Sequence, residues 1–200
     1  MREARLAALS VGILVSLALA LAPAPAGATS VLSTTLAEMA KVSDAVVLGR
    51  VTKKAVRWST AGDAIYTYVS VRVDSRFKGE VADDITVVVP GGTVGETTRV
   101  VHGAPRFTVG EKVVLYLEAR TKGETGFNVV GMFVGKLAVK PTATGEVVEY
   151  GYPVPKVEPG DPPAVVKKKT FIHDFVSGMD LRSFVFKVRA DVERAAAEAP

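Results

Sequence analysis

The sequence has no cysteine, only two histidines, His102 and His173, and a single tryptophan, Trp58. The first absence removes disulfide staples, thiolate metal sites and cysteine nucleophiles. The second leaves too few imidazoles for a multi-histidine metal centre. The G-x-S-x-G turn of serine hydrolases is missing, and so is the D-x-D-x-D-G spacing of calcium loops. The run Gly91-Gly92-Thr93-Val94-Gly95 lacks the Gly-Lys-Ser/Thr ending of a phosphate cradle, and no helix follows it to hold an anion. Calcium stays open only through oxygen-bearing loops such as 158–161. No cofactor is expected.

What is there is apolar and evenly charged. Hydrophobic residues make up 48% of the 200 residues, which supports a packed core and argues against disorder. The net charge of +4 comes from 25 basic and 21 acidic residues with the signs interspersed. Nucleic-acid binders concentrate Lys and Arg on one face or stripe. The one tight cluster here, Lys167-Lys168-Lys169, reads as a solvated loop.

Residues 1–28 have the layout of a removable export signal. Met1 to Arg5 is a short basic region, Leu6 to Ala22 is apolar, and Ala26 and Ala28 fit an A-x-A cleavage site. The expectation is cleavage after Ala28 and a secreted or periplasmic product. It would be held together by its core alone, since it has no cysteine to oxidise.

The mature chain opens with Thr35-Leu36-Ala37-Glu38, a capping box that predicts a short helix closing at Val42-Ser43-Asp44. From there the hydrophobic period is two. Strands are expected at 45–51, where Gly49 marks a bulge or bend, at 65–78, and at 85–89. Further strands are expected at 97–101, 113–117 and 127–134, with a hairpin of 137–140 and 146–150. Residues 58–63 read as a loop. In the long strand, Ile65, Thr67, Val69, Val71, Val73 and Phe77 share one face; Tyr66, Tyr68, Arg72, Asp74, Arg76 and Lys78 share the other. No connection is long enough to hold a crossover helix, so the sheet should be antiparallel. Residues 152–170 form a proline-rich linker or strap, with Pro153, Pro155, Pro159, Pro162 and Pro163. Asp180 then caps a final helix striped by Leu181, Phe184, Val185, Val188, Val192 and Ala195. The fold class is therefore mainly β: an antiparallel OB-like barrel over 29–151, a short N-terminal helix, and a C-terminal amphipathic segment over 171–200.

No constellation of catalytic groups stands out. His102 lies in a turn context, and His173 and Asp174 are adjacent, a spacing that rarely lets side chains face each other. Asp83-Asp84 precedes a strand, where Asp is favoured for local backbone hydrogen bonds. The nearest approach to a binding surface is the aromatic and basic face of the long strand. Tyr66, Tyr68, Arg72 and Arg76 lie there, with Trp58 as a nearby contact anchor.

The order Val42-Ser43-Asp44-Ala45-Val46-Val47-Leu48-Gly49-Arg50-Val51, then Tyr68 to Val73, then Arg76-Phe77-Lys78-Gly79, resembles the netrin-like domain. That is the barrel of the tissue inhibitors of metalloproteinases. The chain is also similar to exported bacterial proteins of unassigned function that carry Gly-Arg-Val, Phe-Lys-Gly and Pro-Gly-Gly turns, here Gly49-Arg50-Val51, Phe77-Lys78-Gly79 and Pro90-Gly91-Gly92. The resemblance covers about residues 36–135 and implies an OB-type barrel that binds a protein. The inhibitors chelate zinc through an N-terminal cysteine; a mature chain beginning Thr29-Ser30-Val31 lacks it, so that mechanism does not transfer. The expected function is a non-enzymatic exported protein-binding module, with a protease as one candidate partner and no nucleic-acid ligand. The alternatives are a structural envelope protein tethered by its C-terminal helix and, with less behind it, a hydrolase with an unfamiliar site. A membrane surface is the weaker partner, and the oligomeric state is open.

Overall fold

The computed structural model describes residues 35–120, 125–150 and 176–198. The expected signal segment, the strap, the triple lysine and His173 lie outside these residues. Helix α1 spans Leu36–Val42. Its capping box is formed: the Glu38 amide donates to Thr35 Oγ1 at 3.1 Å and the Thr35 amide donates to Glu38 Oε2 at 2.6 Å. At the other end Lys78 Nζ donates to the carbonyls of Ala40 and Lys41 at 2.7 and 3.1 Å, satisfying carbonyls that a helix terminus leaves open.

Strands β1 (Ala45–Trp58), β2 (Ile65–Lys78) and β3 (Asp84–Pro90) form an antiparallel meander. A short ribbon, β4 (Gly92–Val94) with β5 (Thr97–Arg99), follows. Strand β6 (Lys112–Ala119) pairs with β1, and β7 (Phe127–Val129) sits between β3 and β6. The β1–β6 pairing closes the ring β1-β2-β3-β7-β6 into a five-stranded barrel, in the Greek-key order of an OB-type fold. One pairing departs from the expected antiparallel pattern. Val87 of β3 and Phe127 of β7 pair in parallel, because the chain crosses from β3 through β4–β6 before returning beside it.

Beyond the ring, a 3₁₀ turn (Met132–Gly135) leads to β8 (Lys136–Thr142) and β9 (Gly145–Tyr150), and β10 (Met179–Asp180) adds to β9. The turn is the reason the expected strand at 127–134 stops at Val129. Helix α2 (Leu181–Ala197) follows, capped by Asp180, whose carboxylate accepts from the amides of Arg182 and Ser183 at 3.1 and 3.0 Å.

Two cores result. One fills the barrel, with Val47, Val51, Val69, Val71, Val87 and Leu115, and with Phe107 plugging it from the connector before β6. The other lies between the barrel wall and the helices, where Met39, Val46, Val114, Tyr116, Leu137, Phe184 and Val188 meet. Strand β6 belongs to both, so all five residues from Val113 to Leu117 are buried and the sequence there does not alternate. The striped face of α2 is thus spent against the barrel wall: Phe184 and Val188 are fully buried, while Phe186 points outward.

The bend of β1 depends on Gly49, because a Cβ there would lie 2.4 Å from the Arg72 carbonyl oxygen. The register between β1 and β2 shifts at this point. The Phe77-Lys78-Gly79 turn is architectural. Phe77 packs into the outer core, Lys78 caps α1, and Gly79 (φ 77°) runs against the Asp44 carbonyl.

Candidate binding face

Strand β1 runs seven residues past the expected end at Val51 and finishes with Trp58, which therefore is a strand residue and not part of a loop. The segment Thr52–Trp58 is exposed throughout because it extends beyond the ring, so no buried face imposed apolar alternation on it. Its partner is the first half of β2, with Arg57 opposite Tyr66 and Ala55 opposite Tyr68.

Successive strand residues point to opposite faces. Val69, Val71 and Val73 line the barrel interior, so Tyr66 and Tyr68, of the opposite parity, face outward. On that outer face Arg57 reaches diagonally, and its guanidinium carbon lies 3.8 Å from the Tyr68 ring centroid. Arg120, at the end of β6, places its guanidinium carbon 5.5 Å from the Tyr66 centroid and donates to Asn128 Oδ1 at 2.8 Å. Both distances fall within cation–π reach. Val88 and Pro90 of β3 stand beside Tyr68 and Tyr66 in register. The face is thus two half-buried tyrosines, each with an arginine over it, spanning β1, β2 and the end of β6.

Of the five residues expected to form the surface, Tyr66 and Tyr68 are brought together. Arg72 and Arg76 lie farther along β2 and are already engaged. Arg72 meets Asp84 in a two-pronged contact at 3.2 and 3.1 Å, which raises its pKa through hydrogen bonding and charge. Arg76 pairs with Asp83 and donates to the Val81 carbonyl at 2.9 Å. Asp83 and Asp84 are accordingly ion-pair partners on the outside of the hairpin. Trp58 alternates with Arg57, which puts it on the other face from the tyrosines, with Val56; it is 42% exposed. The two residues that complete the face, Arg57 and Arg120, were missed. A longer β1 would have exposed the first. The second sits after β6 with no local pattern to mark it.

His102 is an exposed turn residue. Among the described residues no three His, Asp or Glu side chains group to hold a metal ion. The buried polar groups lie elsewhere. Lys136 Nζ, on a nearly buried side chain, meets Glu111 Oε1 and the Arg106 carbonyl, each at 2.6 Å, and clamps the connector that carries Phe107. Asp191 of α2 is buried between Lys187 at 3.0 Å and Arg194 at 3.5 Å. Tyr116 Oη is buried with no hydrogen-bond partner among the described residues. Burial, with Asp191 adding its charge, pushes its pKa well above the usual phenol range.

No protein-family model matches the chain, and no curated protein matches it.

Proposed function

We propose that the chain is a non-enzymatic protein-binding module that works outside the cytoplasm, and that the Tyr66–Tyr68 face is its contact surface. One observation carries this reading. Arg57 and Tyr68 stand stacked on an exposed sheet, and no carboxylate among the described residues pairs with Arg57. Tyrosine and arginine are the residue types that dominate binding energy at protein interfaces. Here each is held by its neighbour, so little side-chain freedom is lost on binding. The outer face of the second and third strands is also where OB-type barrels carry ligands. The netrin-like resemblance extends the reading to a barrel that accompanies or inhibits a protease, without the cysteine-based zinc contact.

The test is a pull-down from secreted and envelope fractions of the source cells, with the wild type and a Tyr66→Ala/Tyr68→Ala variant as baits. A partner retained by the first and lost by the second, with unchanged circular dichroism, supports the reading. A partner retained by both moves the site elsewhere, and no partner at all sinks the module.

A further inference from the structure

The ladder between β1 and β6 side ends at Val51, whose amide donates to the Glu111 carbonyl at 2.9 Å and whose carbonyl accepts from Gly110 at 2.8 Å. Beyond it β1 continues to Trp58 with β2 on one side only. The direction of its backbone groups follows from the hairpin's closing bond. The Ser59 amide donates to the Ala64 carbonyl at 2.6 Å, so alternate pairs back from there (Arg57/Tyr66, Ala55/Tyr68, Lys53/Ser70) exchange bonds. The intervening residues, Lys54, Val56 and Trp58, direct N–H and C=O away from β2. No backbone hydrogen bond to any of them on that side exists among the described residues. All three are exposed.

An open edge of this kind is a template for another strand. Its charge selects the occupant. Lys53, Lys54 and Arg57 fall within six residues that contain no Asp or Glu. Among the described residues none of the three is ion-paired: Lys54 Nζ donates to the Phe107 carbonyl at 2.6 Å, and Arg57 lies over Tyr68. Asp63, at the hairpin tip, is taken up by Ser59 Oγ at 2.7 Å. A second copy, pairing antiparallel on the same edge, would set these cations against one another, and lysines on edges oppose self-pairing for that reason. An acidic strand would find opposite charge along its length and an apolar contact at Val56.

We propose that the Lys54–Trp58 edge of β1 binds an acidic, extended peptide segment of a partner by strand addition. The proposal rests on the binding-module reading above and supplies its mode. Main-chain bonds to Lys54, Val56 and Trp58 give affinity, and the flanking cations give selectivity.

The probe is a capped octapeptide alternating Glu and Val, with a Lys–Val octapeptide as control, titrated into the full-length protein and followed by amide exchange and calorimetry. The expected result is binding of the Glu–Val peptide alone, weaker at higher salt, with exchange at Lys54, Val56 and Trp58 slowed about tenfold or more. Val56→Pro removes an outward amide without touching the ladder to β2, and should weaken the peptide about tenfold. Lys53→Glu/Arg57→Glu should abolish binding even if the proline variant fails to fold. Equal binding of both peptides, or none, overturns the proposal. So do edge amides already protected in the free monomer, or protected only by self-association. A Val56→Pro protein that keeps its pull-down partner while Tyr66→Ala/Tyr68→Ala loses it overturns strand addition and leaves the face reading standing.

Discussion

Arg57 is paired in register with Tyr66, yet its guanidinium lies over Tyr68, 3.8 Å from the ring centroid. The side chain leans along the sheet to a diagonal neighbour, which places a cation and an aromatic ring in one ordered patch. An exposed cation–π contact contributes about 0.5–1 kcal/mol. Arg57→Ala should therefore lower unfolding stability by that amount in a urea titration while reducing partner binding far more. Equal small losses in both would make the contact merely structural.

The barrel's plug depends on a buried ion pair. Lys136, with 4% of its side chain exposed, is matched by Glu111 at 2.6 Å. Removing one partner leaves an uncompensated buried charge, a loss of about 3–5 kcal/mol. Glu111→Ala strands the more deeply buried charge and should cost that much in denaturant unfolding. Lys136→Met leaves the Glu111 carboxylate, which is 20% exposed and still accepts from the Thr108 amide at 3.1 Å, and should cost clearly less.

Tyr116 makes a prediction with a definite sign in pH. Burial raises its pKa, and that of Tyr150, above the ordinary 10.0. Below pH ~10 the phenols are protonated in both folded and unfolded chains, and full stability is present. Above it the unfolded chain binds fewer protons than the folded one, so stability falls as pH rises. Tyr116→Phe should make that alkaline decline shallower by up to about 1.4 kcal/mol per pH unit. At neutral pH the variant should be as stable as the wild type or about 1 kcal/mol more so, since the hydroxyl it loses has no hydrogen-bond partner among the described residues. A clear loss of stability at neutral pH would contradict this.

Helix α2 offers an internal control. Phe184 is fully buried and Phe186 is 78% exposed, two residues apart. Phe184→Ala should cost about 3–5 kcal/mol and Phe186→Ala less than about 0.5 kcal/mol in the same unfolding assay. Equal small effects would mean that the helix does not dock on the barrel in solution.

Much of the fold was readable because local rules and tertiary packing agree. The Thr35–Glu38 box, the alternation of Ile65–Lys78 and the Asp180 cap each form as their residue types require. The second half of β1 was not readable. Thr52–Trp58 is exposed on both faces because it leaves the ring, so burial imposed no apolar period on it, and only its partner β2 reveals it as a strand. The parallel contact of β7 with β3 was hidden for a related reason: a three-residue strand has too few positions to show a pattern. For the candidate face, composition pointed to β2 over a longer stretch than the one on which the structure gathers stacked aromatic and basic groups. Arg72 and Arg76 share parity with Tyr66 and Tyr68, yet the neighbouring Asp84 and Asp83 already neutralise them, a pairing set by the turn before β3 and not by the face itself. Arg120 reaches Tyr66 across the barrel from a distant part of the chain.

The most direct test of the binding face replaces Tyr68 with a photo-crosslinking phenylalanine analogue in cells that make the protein, with the exposed helix position Glu193 as the control site. The binding-face account predicts one discrete protein adduct from position 68 and none from position 193. Adducts from both sites alike, or from position 193 alone, would contradict it.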